Sequence, residues 1–275
     1  MSYPAPIFCI LRFLCPNSIH PQRQSIEDIV SQVPDAKVEY LRLDLSSLES
    51  IKEAVDEFLS KESELHILLN NAGVMAYPPQ QTKDGFDIQW GTNHMGHALL
   101  VKLLLPTLLS TAASEPPDTV RIVNVASEGH RASRGIKFED TAQANGNKWL
   151  RYGQSKLANI LHARALAKHY GDQGVVALAC HPGTIYTDLY TPFTEAMGVF
   201  GKLLSYPLKT FMTSVTVGSY NQIALCTSPK ITVKDGGLYF LPVLQQGKPT
   251  SYGEDDELAE KLWVYTEDAL KEKGY

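Results

Sequence analysis

The stretch His66-Ile-Leu-Leu-Asn-Asn-Ala-Gly73 joins a short apolar run to a polar turn that ends in glycine. An apolar run of this length, bounded by turn residues, predicts a buried strand. Small residues and a glycine directly after a strand allow the backbone to approach a ligand closely. The stretch therefore predicts a strand with a binding turn at its carboxyl end, whereas the alternative is an ordinary polar turn.

Strand-like and helix-like segments alternate on both sides of this stretch. A capping pattern predicts a helix that begins at Ser25 and stops at Pro34. Further helices are predicted at Ser46–Ser60, Asn93–Leu109 and Trp149–Tyr170, and strands at Lys37–Leu43, His66–Leu69, Arg121–Ala126, Val175–Cys180 and Gly237–Leu241. This alternation predicts a single α/β domain with a doubly wound, mainly parallel sheet. In such sheets, ligands bind outside the carboxyl ends of the strands.

The composition is that of a globular protein without a nucleic-acid or membrane partner. The chain has 275 residues, 44% of them hydrophobic, and a net charge of −5. It lacks a dense Lys/Arg cluster, which argues against nucleic acid and anionic membranes. The apolar run from Pro6 to Cys15 is too short to span a bilayer. The four cysteines form no paired motif, so we expect reduced thiols, a cytoplasmic location and no metal site.

Three further signals follow the glycine turn in chain order. Asn93 stands early in a predicted helix, where the simple interpretation is a helix cap. Ser127 ends a predicted strand, and by itself would be a serine that bonds its own backbone. Tyr152 and Lys156 are spaced i, i+4, which places both side chains on one helical face. Such a pair is expected about once by chance, so its position after the Ser127 strand carries the signal.

Together and in this order, these motifs resemble the classical short-chain dehydrogenases/reductases. The segment His181-Pro182-Gly183-Thr184-Ile185-Tyr186-Thr187 is similar to the family's Pro-Gly segment after the sixth strand, and Asp44-Leu45 resembles its adenine-side position. The gap from Ser127 to Tyr152 and the tail Gly247-Lys248-Pro249 resemble the retinol-dehydrogenase-like branch. The resemblance implies a Rossmann-like fold and an NAD(P)-dependent oxidoreductase that interconverts a carbonyl and an alcohol on a small apolar substrate.

The resemblance also implies a role for each catalytic candidate. Tyr152 would donate the proton, since the ammonium of Lys156 favours the phenolate after transfer. Ser127 would hold the substrate oxygen, and Asn93 would position a water on the proton path to Lys156. NADP is the preferred cofactor, with NAD left open. The residues implied in cofactor binding are Asp44, Asn71, Ala72, Gly73, Tyr152, Lys156, Pro182, Gly183, Ile185 and Thr187.

Two structural expectations accompany the family resemblance. The region from Tyr186 to Thr213 is rich in apolar residues and would form either a substrate lid or a pair of ordinary amphipathic helices. Family members commonly dimerise through the helices that correspond to Asn93–Leu109 and Trp149–Tyr170. A homodimer is therefore expected. The apolar residues Leu99, Leu100, Ile160 and Leu161 either contribute to it or face the protomer's own sheet.

The family's opening glycine-rich turn has no counterpart, because no glycine precedes Gly73. Such a turn brings backbone N–H groups to the cofactor diphosphate at a helix start. We therefore expect an incomplete first β-α-β unit, with residues 1–24 as an atypical remnant before a catalytic domain at 25–275, and weak diphosphate binding.

Three explanations of that absence stay open, namely an incomplete or misjoined chain, a natural variant with weak cofactor binding, and a non-catalytic descendant. The rival function is an interaction protein on the same scaffold. A sugar-nucleotide epimerase would need a larger carboxyl-terminal domain than 275 residues allow.

Overall fold

The computed structural model describes residues 20–141, 146–185 and 213–275. The helices in these ranges are α1 His20–Gln32, α2 Leu48–Lys61, α3 Ile88–Ser114, α4 Lys148–Tyr170, α5 Val215–Thr227 and α6 Asp256–Glu272. The strands are β1 Ile67–Asn70, β2 Val120–Val125, β3 Val175–Cys180, β4 Tyr239–Leu241 and β5 Gln245–Gly247. From α2 to β4, helices and strands alternate along the chain as the sequence predicts.

The five strands form one sheet in the order β1-β2-β3-β4-β5. The first four are parallel, and β5 returns antiparallel to β4. Asn70 pairs with Asn124, and Val125 pairs with Cys180, so three strands end at the same level. The segments that follow these strands consequently meet at one edge of the sheet.

Side chains of alternate residues on β2 enter two different cores, because successive residues of a strand point to opposite faces. Ile122 packs with Leu157 and Leu161 of α4, whereas Val123 packs with Leu225 of α5. Helices therefore cover both faces of the sheet. The predicted doubly wound α/β fold is confirmed.

Two predicted elements differ from the structure near its amino-terminal side. Residues 37–43 are extended but form no ladder with another described strand, although Leu41 and Leu43 are buried. Helix α1 begins at His20, so Ser25 lies inside the helix and does not cap it. The predicted cap is therefore wrong, whereas the predicted strand has no partner among the described residues and stays a prediction. The expected boundary between residues 24 and 25 falls within α1, and the division into two parts stays a prediction.

Helix α3 begins earlier than predicted and contains an irregular turn. Asp87 caps its first residues, and a π-helical turn at Gly91–Met95 separates them from Gly96–Ser114. Asn93 lies inside that turn, so it is not a helix cap. Among the described residues, α3 alone is long and apolar enough to cross a membrane, and 56% of its apolar window is buried in the protein. This burial is typical of a core helix.

The carboxyl-terminal helix α6 covers α4 and completes the larger core. Leu262 and Leu270 of α6 pack in the cluster that contains Leu161. The four apolar residues behind the dimer expectation are fully or almost fully buried within the protomer: Leu99, Leu100, Ile160 and Leu161. They therefore face the protomer's own core and offer no surface to a partner, and the homodimer stays a prediction.

Candidate active site

The candidate site lies at the carboxyl edge of the sheet. Asn71, Ala72 and Gly73 follow β1, Ser127 follows β2, and Pro182 and Gly183 follow β3. The parallel register of the strands brings these three segments together. The sheet thus gathers residues that are far apart in the sequence.

Helix α4 brings Tyr152 and Lys156 to this edge. Asn147 caps the helix by accepting a hydrogen bond from the N–H of Trp149. The side chains of Tyr152 and Lys156 are almost entirely buried, and the Lys156 ammonium lies 5.9 Å from the centre of the Tyr152 ring. The i, i+4 pair predicted from the sequence therefore forms one local group.

Ser127 is held in a defined orientation beside the tyrosine. Its Oγ accepts the backbone N–H of Gly129 at 3.0 Å, which leaves the hydroxyl proton for another acceptor. A Cβ on Gly129 would stand 2.8 Å from Cε1 of Tyr152 and 3.3 Å from Oγ of Ser127. A side chain at this position would thus push against the tyrosine ring and lie next to the serine hydroxyl, so the glycine leaves room for both groups.

The Lys156 ammonium donates a hydrogen bond to the carbonyl of Val125 at 2.8 Å. Asn159 donates to the same carbonyl at 3.1 Å. Burial lowers the pKa of Lys156 from 10.5 to about 8. The ammonium therefore remains the main form at pH 7, with N–H groups left to donate to other acceptors.

Asn93 connects the glycine turn to α4. Its Oδ1 accepts the N–H of Val74 at 2.8 Å, and its Nδ2 donates to the Val74 carbonyl at 2.9 Å. The same Nδ2 donates to Oγ of Ser155 at 2.9 Å, and that hydroxyl donates to the Tyr152 carbonyl. Both amide hydrogens are thus engaged. The side chain fixes the turn against the helix that carries the tyrosine.

Gly73 fits a role as a contact point for a cofactor. A Cβ there would stand 2.9 Å from Oδ1 of Asn93 and 3.4 Å from the Lys156 nitrogen. The absence of a side chain keeps the space above Lys156 open. Gly183 adopts φ +96°, a conformation that favours glycine, directly after Pro182. The residues present therefore suit the close backbone approach that a nicotinamide and its ribose would need.

The remaining predicted cofactor residues either contact other parts of the protein or lie outside the described residues. The Asp44 carboxylate accepts hydrogen bonds from the backbone and hydroxyl of Ser46, so it organises the turn before α2. Ile185 pairs with Thr213 through an isolated bridge. Thr187 and most of the proposed lid, residues 186–212, lie outside the described residues.

Sequence reasoning missed His130 and Ser155. His130 is completely buried three residues after Ser127 and hydrogen-bonds the Ser127 carbonyl. Ser155 lies between Tyr152 and Lys156 in the sequence, and its Oγ accepts a hydrogen bond from the Asn93 amide. Their proximity to predicted residues was the only available signal, because neither residue type has a distinctive spacing here.

The fold and this group of side chains define an α/β oxidoreductase. The chain belongs to the short chain dehydrogenase family, whose sequence profile matches residues 17–198. It is 36% identical to a short-chain dehydrogenase/reductase of Aspergillus calidoustus over 90% of this chain and 82% of that protein. It is 38% identical to an uncharacterized oxidoreductase of Schizosaccharomyces pombe, over 91% of this chain and 74% of the relative.

Solved structures share the fold. A putative uncharacterized protein from Mycobacterium paratuberculosis matches with a TM-score of 0.64 and 28% identity, over 89% of this chain and 80% of that one. An NADPH-bound carbonyl reductase from chicken fatty liver matches with a TM-score of 0.61 and 23% identity, over 88% of each chain. The predicted family, and with it an enzyme that uses a nicotinamide cofactor, is confirmed.

Proposed function

We propose that this protein interconverts a carbonyl and an alcohol on a small apolar substrate, with Tyr152 as the proton donor and NADP as the preferred cofactor. The observation that supports this most strongly is the convergence of Ser127, Tyr152 and Lys156 at the sheet edge. Gly129 makes close approach of the serine and tyrosine possible. The preference for NADP rests only on the resemblance to the retinol-dehydrogenase-like branch.

Each side chain has a distinct task in carbonyl reduction. The Ser127 hydroxyl donates to the substrate oxygen and fixes its position, since Oγ already accepts the Gly129 N–H. The Tyr152 hydroxyl gives its proton to that oxygen as negative charge develops. A bound nicotinamide cofactor supplies the hydride, and in the reverse direction Tyr152 withdraws the proton from the alcohol.

Lys156 supports the tyrosine through its positive charge. An ammonium 5.9 Å from the ring centre stabilises the phenolate that remains after proton transfer. Its N–H groups also face the space that Gly73 leaves open, where they would hold a ribose hydroxyl. The desolvated position strengthens both interactions, because the effective dielectric constant there is low.

Asn93 acts in this proposal mainly by holding the glycine turn. Its amide bridges the backbone of Val74 and the hydroxyl of Ser155, which lies in the same helical turn as Lys156. The distance between the cofactor turn and the tyrosine helix thereby becomes fixed. The role predicted from the sequence, positioning a water on the proton path, stays a prediction.

Cofactor recognition is proposed to centre on the nicotinamide ribose. We expect Lys156→Met to weaken NADPH binding measured by calorimetric titration, because the ammonium would hold this half of the cofactor. Lys168→Met is the matched control, since Lys168 lies on the same helix with a side chain 62% exposed. Equal affinity of the wild type and Lys156→Met would contradict the proposed contact.

The decisive experiment is Tyr152→Phe, assayed with NADPH and NADH on apolar ketones and aldehydes, and in reverse on the alcohols. The substitution removes only the hydroxyl, so kcat should fall about 10²–10⁴-fold while the unfolding temperature stays unchanged. Tyr170→Phe on the same helix should leave kcat unchanged. Near-wild-type kcat and pH dependence in Tyr152→Phe would refute the mechanism. Cofactor binding without turnover of any substrate would favour the non-catalytic alternative.

A further inference from the structure

His130 occupies a buried position directly behind Ser127. It lies in the short 3-10 turn Glu128–Ala132, and its side chain is completely buried. Its Nδ1 stands 2.7 Å from the Ser127 carbonyl oxygen, and its Nε2 stands 3.2 Å from the backbone nitrogen of Thr250. Because a carbonyl can only accept and a backbone N–H can only donate, Nδ1 carries the proton and Nε2 accepts.

This tautomer engages both ring nitrogens and holds Ser127 through its main chain. The Ser127 carbonyl accepts Nδ1–H and also the backbone N–H of His130 at 3.0 Å. The Ser127 hydroxyl is oriented separately by the N–H of Gly129. The serine therefore cannot move toward or away from Tyr152 without breaking hydrogen bonds to the His130 turn.

The other side of the imidazole is attached to the carboxyl-terminal segment. Thr250 precedes the turn Ser251–Glu254, which leads into α6. A second link lies nearby, since Arg131 donates to the Lys248 carbonyl at 2.8 Å. The anchoring partner of the imidazole thus belongs to a segment that is itself fixed to the body of the protein.

The surroundings keep the imidazole neutral. Burial lowers the pKa of His130, and the charge of Arg131 acts in the same direction, while Glu128 and the Ser127 carbonyl oppose them. The ring also contacts Tyr239 nearly edge-on, with 5.4 Å between centroids. A neutral ring is required here, since an imidazolium could not accept the Thr250 N–H.

We propose that His130 is a positioning residue that holds Ser127 in place for the substrate oxygen, by donating from Nδ1 to the Ser127 carbonyl while Thr250 anchors its Nε2. This inference rests on the proposed function of Ser127. It assigns the residue no direct contact with substrate or cofactor.

Two substitutions test the roles of the two ring nitrogens of His130 independently. In His130→Asn the shorter amide can occupy the place of Nδ1, whereas in His130→Gln the longer amide reaches the place of Nε2. We expect His130→Asn to keep kcat within about threefold of wild type, and His130→Gln to lower it about tenfold, as for one lost hydrogen bond. The KM for NADPH should stay unchanged in both. Equal kcat values in all three proteins, or a lower kcat in His130→Asn than in His130→Gln, would overturn the proposal.

Two further measurements make the outcome specific. Nitrogen NMR of the wild-type imidazole at pH 7 should show a protonated Nδ1 and an unprotonated Nε2, and the opposite tautomer would overturn the inference whatever the activity. Ser127→Ala is assayed in parallel. If its kcat stays near wild type, the proposed function of Ser127 fails and this inference with it. If its kcat falls while His130→Gln behaves as wild type, the inference alone fails.

Discussion

Asn93 and His94 are neighbours in the sequence, yet they belong to two different buried polar groups. Asn93 joins the site cluster, which consists of Asn93, Ser155, Tyr152 and Lys156. His94 joins the histidine cluster, which consists of His94, His162, Trp90, Trp263 and Thr266. Both clusters are carried largely by α3 and α4. One pair of helices therefore carries the candidate site on one side and packs against α6 on the other.

The two clusters satisfy their polar atoms differently. Asn93 makes three hydrogen bonds, two of them to backbone atoms of the glycine turn. His94 bonds only Thr266 through Nε2, and its Nδ1 has no hydrogen-bond partner among the described residues. Its ring also lies near two other rings, with centroid distances of 4.8 Å to Trp90 and 5.5 Å to His162. The first cluster is organised by hydrogen bonds and the second by aromatic packing.

The clusters also differ in the charge that they keep. Burial lowers the pKa of Lys156 to about 8, which leaves it charged at pH 7. Burial lowers the pKa of His162 to about 4 and that of His94 well below 6.5, which leaves both neutral. The site cluster thus holds a charge that costs stability, whereas the histidine cluster avoids one. The role proposed for Lys156 in binding and proton transfer accounts for a buried charge at this position.

The largest expected effect is that of Lys156→Met. Because the folded-state pKa lies below the ordinary value of 10.5, the buried ammonium destabilises the protein at pH 7. Its removal should raise the free energy of unfolding by up to about 3 kcal/mol and lower kcat about 10²–10⁴-fold. Asn159 still donates to the Val125 carbonyl. Urea unfolding and turnover assays test this, and a destabilised Lys156→Met would contradict the charge cost.

A matched pair of substitutions at the π turn tests the division between the clusters. Asn93→Ala leaves the N–H and carbonyl of Val74 unpaired, so it should cost about 2–4 kcal/mol and lower kcat. His94→Phe keeps the ring contacts and should change stability by less than about 1 kcal/mol with kcat unchanged. Equal losses of kcat in both variants would show that the two clusters are not functionally separate.

The smallest expected effect concerns acid stability. The neutral His162 stabilises the fold above pH 6.5, and this contribution is lost as the pH falls toward its folded-state pKa of about 4. His162→Phe retains a ring against Trp263 and removes the titration. Between pH 7 and pH 5, the free energy of unfolding should therefore fall by about 2 kcal/mol less in His162→Phe than in the wild type. Urea titrations at the two pH values measure this difference. An equal fall of the unfolding free energy in the wild type and in His162→Phe would contradict this role.

The sequence predicted the site better than it predicted its surroundings. Gly73, Ser127, Tyr152 and Lys156 each stand at a strand end or at helical spacing, and such positions can be recognised from local patterns. The parallel sheet then aligns the strand ends, and α4 adds Tyr152 and Lys156 to them. Each of these residues alone has a simple structural interpretation. Only their order along the chain indicated a functional site.

The errors and omissions share a physical origin in long-range contacts. Residues 37–43 have a strand pattern, but a strand also needs a neighbouring strand, and no described one pairs with them. His130 bonds Thr250, which is far away in the sequence. The burial of Leu99 and Leu161 depends on the protomer's own core, to which α6 contributes. A local pattern contains no information on such partners.

The π turn at Gly91–Met95 determines the positions of Asn93 and His94 along α3. A π turn accommodates one residue more than a regular helix. Loss of a single codon within it would restore regular winding, so the turns on either side would keep their orientation while the residues inside the bulge were displaced. Asn93, whose amide now contacts Val74 of the glycine turn, would then leave its present position. In evolutionary terms, we expect the length of this segment and its asparagine to persist together.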